Sequence, residues 1–315
     1  QLGYVGPELL KYCLHHEADI FSVHLEQAFC VGAELLKKGF RVSGDFEDWY
    51  SEDLLPAARK TRPIKLLQDC ESAVINDAHF STATSQCMSR RMASRFGAAR
   101  EPHVVLNTFS LAERDSIDGK LEDRREENLL SICWFSQTIG PKRGLEELMQ
   151  ATHHLTEPIE IHLRGNISTE FQSALAALAH EKCRPHVHFH PQVPHHELLS
   201  RIAEHDVGYA AEVPYCESRN LTITNKVFQY LLAGIPVIAT DTAGQVEVAD
   251  DVPDAMRGFS AKDPAALATL IEELQSGKWS QEKARASAVE AAQTKYNWEV
   301  SRRKLVSLFE TGGDV

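Results

Sequence analysis

The 315-residue chain contains no apolar run near the ~18–20 residues that a membrane span needs, and no signal-peptide pattern opens it. It has no Cys-x-x-Cys pair. Its seven cysteines (Cys13, Cys30, Cys70, Cys87, Cys133, Cys183, Cys216) are scattered and odd in number, which argues against a zinc knuckle, a redox dithiol or a disulfide framework. Free thiols in mostly apolar settings predict a reducing compartment, the cytoplasm. Basic residues are the minority, 33 Lys and Arg against 45 Asp and Glu, for a net charge of −12. Such a chain lacks the cationic surface that sequence-independent nucleic-acid binding requires, so no nucleic-acid partner is expected. Glycine and proline are not in excess, and no stretch is of low complexity. A collagen-like fibre and a disordered tail are thereby excluded.

What is present is alternation. Strand-like runs at Asp19–His24, Phe40–Gly44, Phe80–Thr84, His103–Leu106, Leu129–Phe135, Ile159–Arg164, His186–His190, Val207–Ala211 and Ile235–Thr240 are separated by amphipathic stretches of helical length. Among the latter are Leu25–Lys38, Glu52–Ala78, Arg143–His153, Phe171–Lys182 and Pro264–Ser276. This predicts an α/β protein of two Rossmann-like, doubly wound parallel-sheet lobes. Ile132–Phe135 and Ile235–Ala239 lack polar alternation, as strands buried on both faces do. The polar stretch 113–128 reads as a linker between a first lobe, 1–112, and a second, 129–294, with a closing helix in 295–315.

In open parallel sheets, ligands bind outside the carboxyl ends of the strands. The strand from Leu129 runs into Ser136-Gln-Thr-Ile-Gly-Pro-Lys-Arg-Gly144, a loop with two cations, Lys142 and Arg143, at a helix start. Cations, backbone N–H groups and the helix dipole there favour an anion, although a plain turn with a solvated Lys-Arg pair has the same spelling. A second loop, Glu212–Asn225, places several donors before a helix capped by Thr224 and stopped by Gly234 and Pro236. Gln229 lies one turn into that helix, as a ligand contact or a surface amide. Ala239-Thr-Asp-Thr-Ala-Gly-Gln245 is a third small-residue loop. Three such loops in one lobe suggest a diphosphate ligand.

WFSQTIGPKRGLEELMQA, DVGYAAEV and, above all, NKVFQYLLAGIPVIATDTAG make the second lobe resemble the donor-nucleotide lobe of retaining GT-B glycosyltransferases of the family-4, or group 1, class. The last segment is similar to that family's Lys-x-x-Glu-Tyr-x-x-x-Gly-x-Pro-Val. Weaker likeness covers ADIFSVHLE, RVSGDFEDWYSEDL, FSTATS and VVLN in the first lobe, and the closing YNWEVSRRKLVSLF. The resemblance implies transfer of a sugar, with anomeric retention, from a UDP- or GDP-sugar to the hydroxyl of an unknown acceptor (glycan, lipid or small molecule). It implies no cofactor and no bound metal. It implies that Arg143 and Lys142 meet the donor diphosphate, that the turn at Val193 contacts the base, and that Thr224, Asn225, Lys226 and Gln229 complete the donor site. Gln229 stands where the family has a Glu that holds the ribose, Leu221 where it has a second Glu, and Thr138 where it has an Arg. Glu217 or Glu212 replaces the absent Glu only if the loop bends differently. It also implies a closing helix packed on the first lobe, and lobes that close to exclude water. Measured against the family, the first lobe of a chain that begins at Gln1 is expected to lack its opening elements.

The family's His-Asp near the acceptor reads here as Glu47-Asp48, the expected catalytic pair. With Asp45, Glu52 and Asp53 they form an acidic cluster, and like charges at close range raise carboxyl pKa values, as suits a general base. A helix-capping acidic turn reads the same way. His186, His188 and His190 alternate along one strand, where a polar strand face is expected rather than a metal site. Arg59, Lys60, Arg62 and Lys65, and Arg90, Arg91, Arg95 and Arg100, are solvated helix faces or a weak contact for anionic lipid headgroups. Two alternatives stay open beside the transferase: an epimerase of nucleotide-sugars on the same fold, and a non-catalytic nucleotide-sugar-binding or accessory protein.

Overall fold

A computed structural model describes residues 6–53, 55–124 and 128–312. The chain forms two compact units. The first comprises Gln1–Asn107, Tyr215–Ile223 and Ser301–Val315, the second Thr108–Pro214 and Thr224–Val300.

The first unit is built on a parallel sheet in the order β1 (Phe21–His24), β2 (Val42–Phe46), β3 (Phe80–Ala83), β4 (His103–Val104). Parallel neighbours need crossover helices, and the amphipathic stretches supply them. Leu25–Lys37 buries Phe29, Val31, Ala33 and Leu35. Gln86–Phe96 starts where Ser85 accepts from the Met88 N–H and stops at left-handed Gly97, φ +64°. The helical run expected over Glu52–Ala78 is broken into Pro56–Arg59 and Ile64–Asp77. Pro63 lacks an N–H and disfavours helical geometry at Arg62. Ile64–Asp77 lies directly on β2: a Cβ at Gly44 would come within 2.3 Å of Val74 Cγ1. This approach needs glycine.

The second unit is a six-stranded parallel sheet in the order β10-β9-β8-β5-β6-β7. Its strands are β5 (Leu130–Thr138), β6 (Ile159–Asn166), β7 (Val187–His190), β8 (Val207–Ala210), β9 (Val237–Thr240) and β10 (Met256–Phe259). The expected apolar strands are the interior strands β5 and β9, and Ile132, Trp134, Ile159, Ile161, Leu163, Val207 and Ile238 form the core with Leu148, Met149 and Leu267. Among the described residues β10 is the one strand with no counterpart in the sequence reading. Two parallel-sheet lobes of the Rossmann type are therefore the observed architecture.

The polar stretch read as a linker is tied into the second unit. Asp123 is buried and paired with Arg164. Asp118 lies 3.0 Å from Arg201, and Arg124 2.9 Å from Asp206. Residues 125–127 of that stretch lie outside the described residues. Among the described residues no helix is long and apolar enough to cross a membrane.

Candidate functional site

Because every strand pair in the second sheet is parallel, the carboxyl ends of β5 to β10 share one edge. β5 ends at Thr138, and the loop to the helix Leu145–Ala151 is anchored at both ends. Ile139 is buried, and its N–H donates to the Asn166 carbonyl at 2.8 Å. At the other end the Tyr209 hydroxyl donates to the Gly144 carbonyl at 2.7 Å. Between these anchors Lys142 and Arg143 stand exposed, Lys142 at φ +62°. Gly144 itself is at φ +76°, and a Cβ there would meet Ala211 Cβ at 2.5 Å. The anchored loop thus presents two cations from a fixed backbone. Left-handed strain and overpacking together make Gly144→Ala cost about 2–4 kcal/mol. Urea denaturation of the variant checks this, and an unchanged midpoint would show the loop to be adaptable.

Thr138 is exposed at the end of β5. Val193 is half-buried just after β7. Its turn is tied down by Arg164, which donates to the Pro191 carbonyl at 2.6 Å, and by the Gln192 amide, which donates to the Gln137 carbonyl at 2.8 Å. The helix Asn225–Ala233 begins after Thr224, with Asn225 exposed and Lys226 in its first turn. Lys226 Nζ lies 3.5 Å from Glu212 Oε1 and 5.4 Å from the centre of the Trp134 ring. Gln229 is only 6% exposed and is flanked by buried Phe228 and Tyr230, so it is no surface amide.

Of the two carboxylates considered for the position of Leu221, Glu217 belongs to the first unit and is paired with Arg91. Leu221 belongs there too, its carbonyl accepting from Ser85 Oγ at 2.6 Å. Glu212 stays in the second unit, on Lys226. The Glu212–Lys226–Trp134 cluster was missed in sequence. Its signal is a carboxylate just past one strand end and a lysine in the first turn of the next helix.

In the first unit the acidic turn after β2 is highly organised. His24, at the end of β1, places Nδ1 2.9 Å from Asp45 Oδ2 and Nε2 3.2 Å from Glu47 Oε2. The other Glu47 oxygen accepts from Asn107 Nδ2 at 3.2 Å, and Asp45 Oδ1 from Thr82 Oγ1 at 2.8 Å. Glu47 is therefore held on both oxygens. Asp48 differs: burial raises its pKa above the usual carboxylate value, with the charge of Arg219 opposing. Its Oδ1 is 3.4 Å from Thr222 Oγ1. Asp53 is paired with Arg219 at 3.1 Å, and the Trp49 N–H donates to Ser218 Oγ at 3.1 Å.

Residues 130–276 match the family of group 1 glycosyl transferases. That domain and the two parallel-sheet lobes define the class, a glycosyltransferase of GT-B architecture. No curated protein shows significant similarity to the chain. HepE of Anabaena, solved in complex with UDP, is 16% identical and superimposes with a TM-score of 0.75 over 98% of this chain and 82% of its own. Sucrose-phosphate synthase of Thermosynechococcus elongatus is 15% identical, with a TM-score of 0.74 over 99% and 79%. A UDP-forming trehalose-phosphate synthase of Burkholderia xenovorans is 13% identical, with a TM-score of 0.72 over 100% and 79%. At these identities the likeness is one of fold.

Proposed function

We propose that the protein transfers a sugar, with retention, from a UDP-sugar to an acceptor hydroxyl. The observation that carries this reading is the anchored loop 139–144, which holds Lys142 and Arg143 at the carboxyl edge of a sheet inside the group 1 domain. A leaving nucleoside diphosphate gains negative charge as the glycosidic bond breaks, and fixed cations stabilise that charge without reorganising. Val193 serves the base, and Thr224, Asn225, Lys226 and Gln229 the ribose and phosphates. Uridine is favoured over guanosine because HepE is similar in fold and is solved with UDP and with UDP-glucose. On the acceptor side, Asp48 suits the taking up of a proton better than Glu47, whose oxygens are engaged. The leaving phosphate is the other base on offer. No metal takes part in the transfer on this reading.

Titration of the chain with UDP and with GDP, followed by donor-turnover assays with product analysis by NMR, tests it. Tight UDP binding with an α-linked product from an α-linked donor is the expected result. UDP binding with no turnover would favour an accessory role, to which Leu221 and Gln229 in place of acidic residues point. A nucleotide-sugar inverted at one ring carbon as product would mean an epimerase.

A further inference from the structure

Away from the donor loops, one face of β6 and β7 carries an unusual set of side chains. Glu160, His162 and Arg164 alternate along β6, and His188 and His190 along β7, with His162 opposite His188 and Arg164 opposite His190. Glu160 is fully buried, His162 2% exposed, and His188 a quarter exposed at the side chain. A fully buried carboxylate is tolerated only with strong compensation. Here both its oxygens face imidazole nitrogens: Oε2 lies 3.2 Å from His162 Nε2, and Oε1 3.3 Å from His188 Nε2. One nitrogen from each of His162 and His188 and one Glu160 oxygen all lie within 4.8 Å of one another.

The chain of contacts continues. His162 Nδ1 lies 2.9 Å from His190 Nε2, and His190 Nδ1 lies 3.2 Å from Asp123 Oδ1. Five groups thus meet at four contacts, each needing a hydrogen or a cation between its two electronegative atoms. Three neutral imidazoles bring three hydrogens. One positive centre is short.

We propose that Glu160, His162 and His188 bind a zinc ion. A cation in that corner replaces the hydrogens of both Glu160 contacts. His162 is then free to donate from Nδ1 to His190, which donates from Nδ1 to Asp123. Every contact is satisfied in one direction. The result is a carboxylate–histidine–histidine–metal relay, the arrangement that fixes the tautomer of a metal-ligating histidine. Ligand atoms about 2.0–2.1 Å from a tetrahedral ion lie about 3.3 Å apart, the distance of each imidazole nitrogen from its nearer Glu160 oxygen, and one of those oxygens serves as the carboxylate ligand. Two imidazoles and a carboxylate suit zinc, with the fourth position left for water. Such an ion pins the edge strand β7 to β6, immediately before the Pro191–Val193 turn. None of the proposed donor-loop residues belongs to the site.

Chain stripped with a chelator and titrated with Zn2+ is expected to take up one equivalent at micromolar Kd or tighter, and to gain thermal stability. Co2+ in its place should give the visible absorption of a tetrahedral centre. In His188→Ala, and separately in Glu160→Gln, affinity should fall at least tenfold and the Co2+ band should vanish. His188 is the less buried ligand, so its variant keeps the test open if loss of Glu160 prevents folding. Folded chain that takes up neither ion at 100 µM overturns the site. So does unchanged binding in both variants, which would place the metal elsewhere. Retention of the Glu160 contacts in metal-free chain with a second proton on His162, seen by nitrogen NMR beside absent Zn2+ uptake, would show that an extra proton supplies the missing charge instead.

Discussion

Replacing Arg143 by Ala is expected to weaken UDP binding by about 10- to 100-fold, the 1.5–3 kcal/mol that one hydrogen bond to a charged group contributes. The size follows from what surrounds the residue. On the proposed donor site Thr138 brings no charge, which leaves the diphosphate to the pair in the loop 139–144. Arg143 is exposed, and its removal should leave the fold intact. The loop is fixed by Ile139 and Gly144 rather than by either cation, so Lys142→Ala probes the neighbouring charge without moving Arg143. Lys142 should contribute less, because an ammonium offers a point charge where a guanidinium offers a fork. Raising the salt concentration should narrow the difference between wild type and variant. Calorimetric titration with UDP checks all three statements. Equal affinities of wild type and Arg143→Ala would move the diphosphate away from this loop and remove the main support for the donor site.

How far the molecule can be read from its residues depends on the reach of the interactions that decide each feature. The strands of the second core were legible because Ile132–Phe135 and Ile235–Ala239 are unbroken apolar runs, and both supply interior strands of the sheet. β10 was not, because Met-Arg-Gly-Phe mixes an exposed glycine and a half-exposed arginine with two buried residues over only four positions. Pro63 was present in the sequence, yet periodicity alone carried the expected helix across it. Gln229 shows a different limit. Its helix buries Val227, Phe228, Tyr230, Leu231 and Leu232, so it has no polar face by which a surface amide is recognised. The placing of Lys142 and Arg143 between a strand and a helix was legible because such a loop is local. The pairing of Glu217 with Arg91, and of Glu160 with His188, joins residues far apart in sequence, and only tertiary packing brings them together.

The second large effect belongs to the first unit and concerns the turn that carries Asp48. Glu71 lies on the buried side of the helix Ile64–Asp77 and accepts from the Ser51 N–H at 2.9 Å, three residues after Asp48. Burial pushes its pKa up to about 7, with the Ser51 hydrogen bonds opposing. The folded state therefore holds a proton on Glu71 at pH values where the unfolded chain, near 4.5, has released it. Stability from this group is complete below pH 4.5 and is lost as pH rises through about 7. At 1.4 kcal/mol for each pH unit of displacement, the loss reaches about 3 kcal/mol. Glu71→Gln removes the titration but keeps an oxygen for the Ser51 N–H. The variant should match wild type at pH 4.5 and exceed it by up to about 3 kcal/mol at pH 8. Hydrogen exchange of the helix 64–77 in urea, followed from pH 4.5 to 8, reads the difference. Parallel curves for the two proteins would mean that Glu71 is ionised in the folded chain. In that case the turn behind Asp48 rests on a charged hydrogen bond, and Gln would weaken it at neutral pH instead of strengthening it.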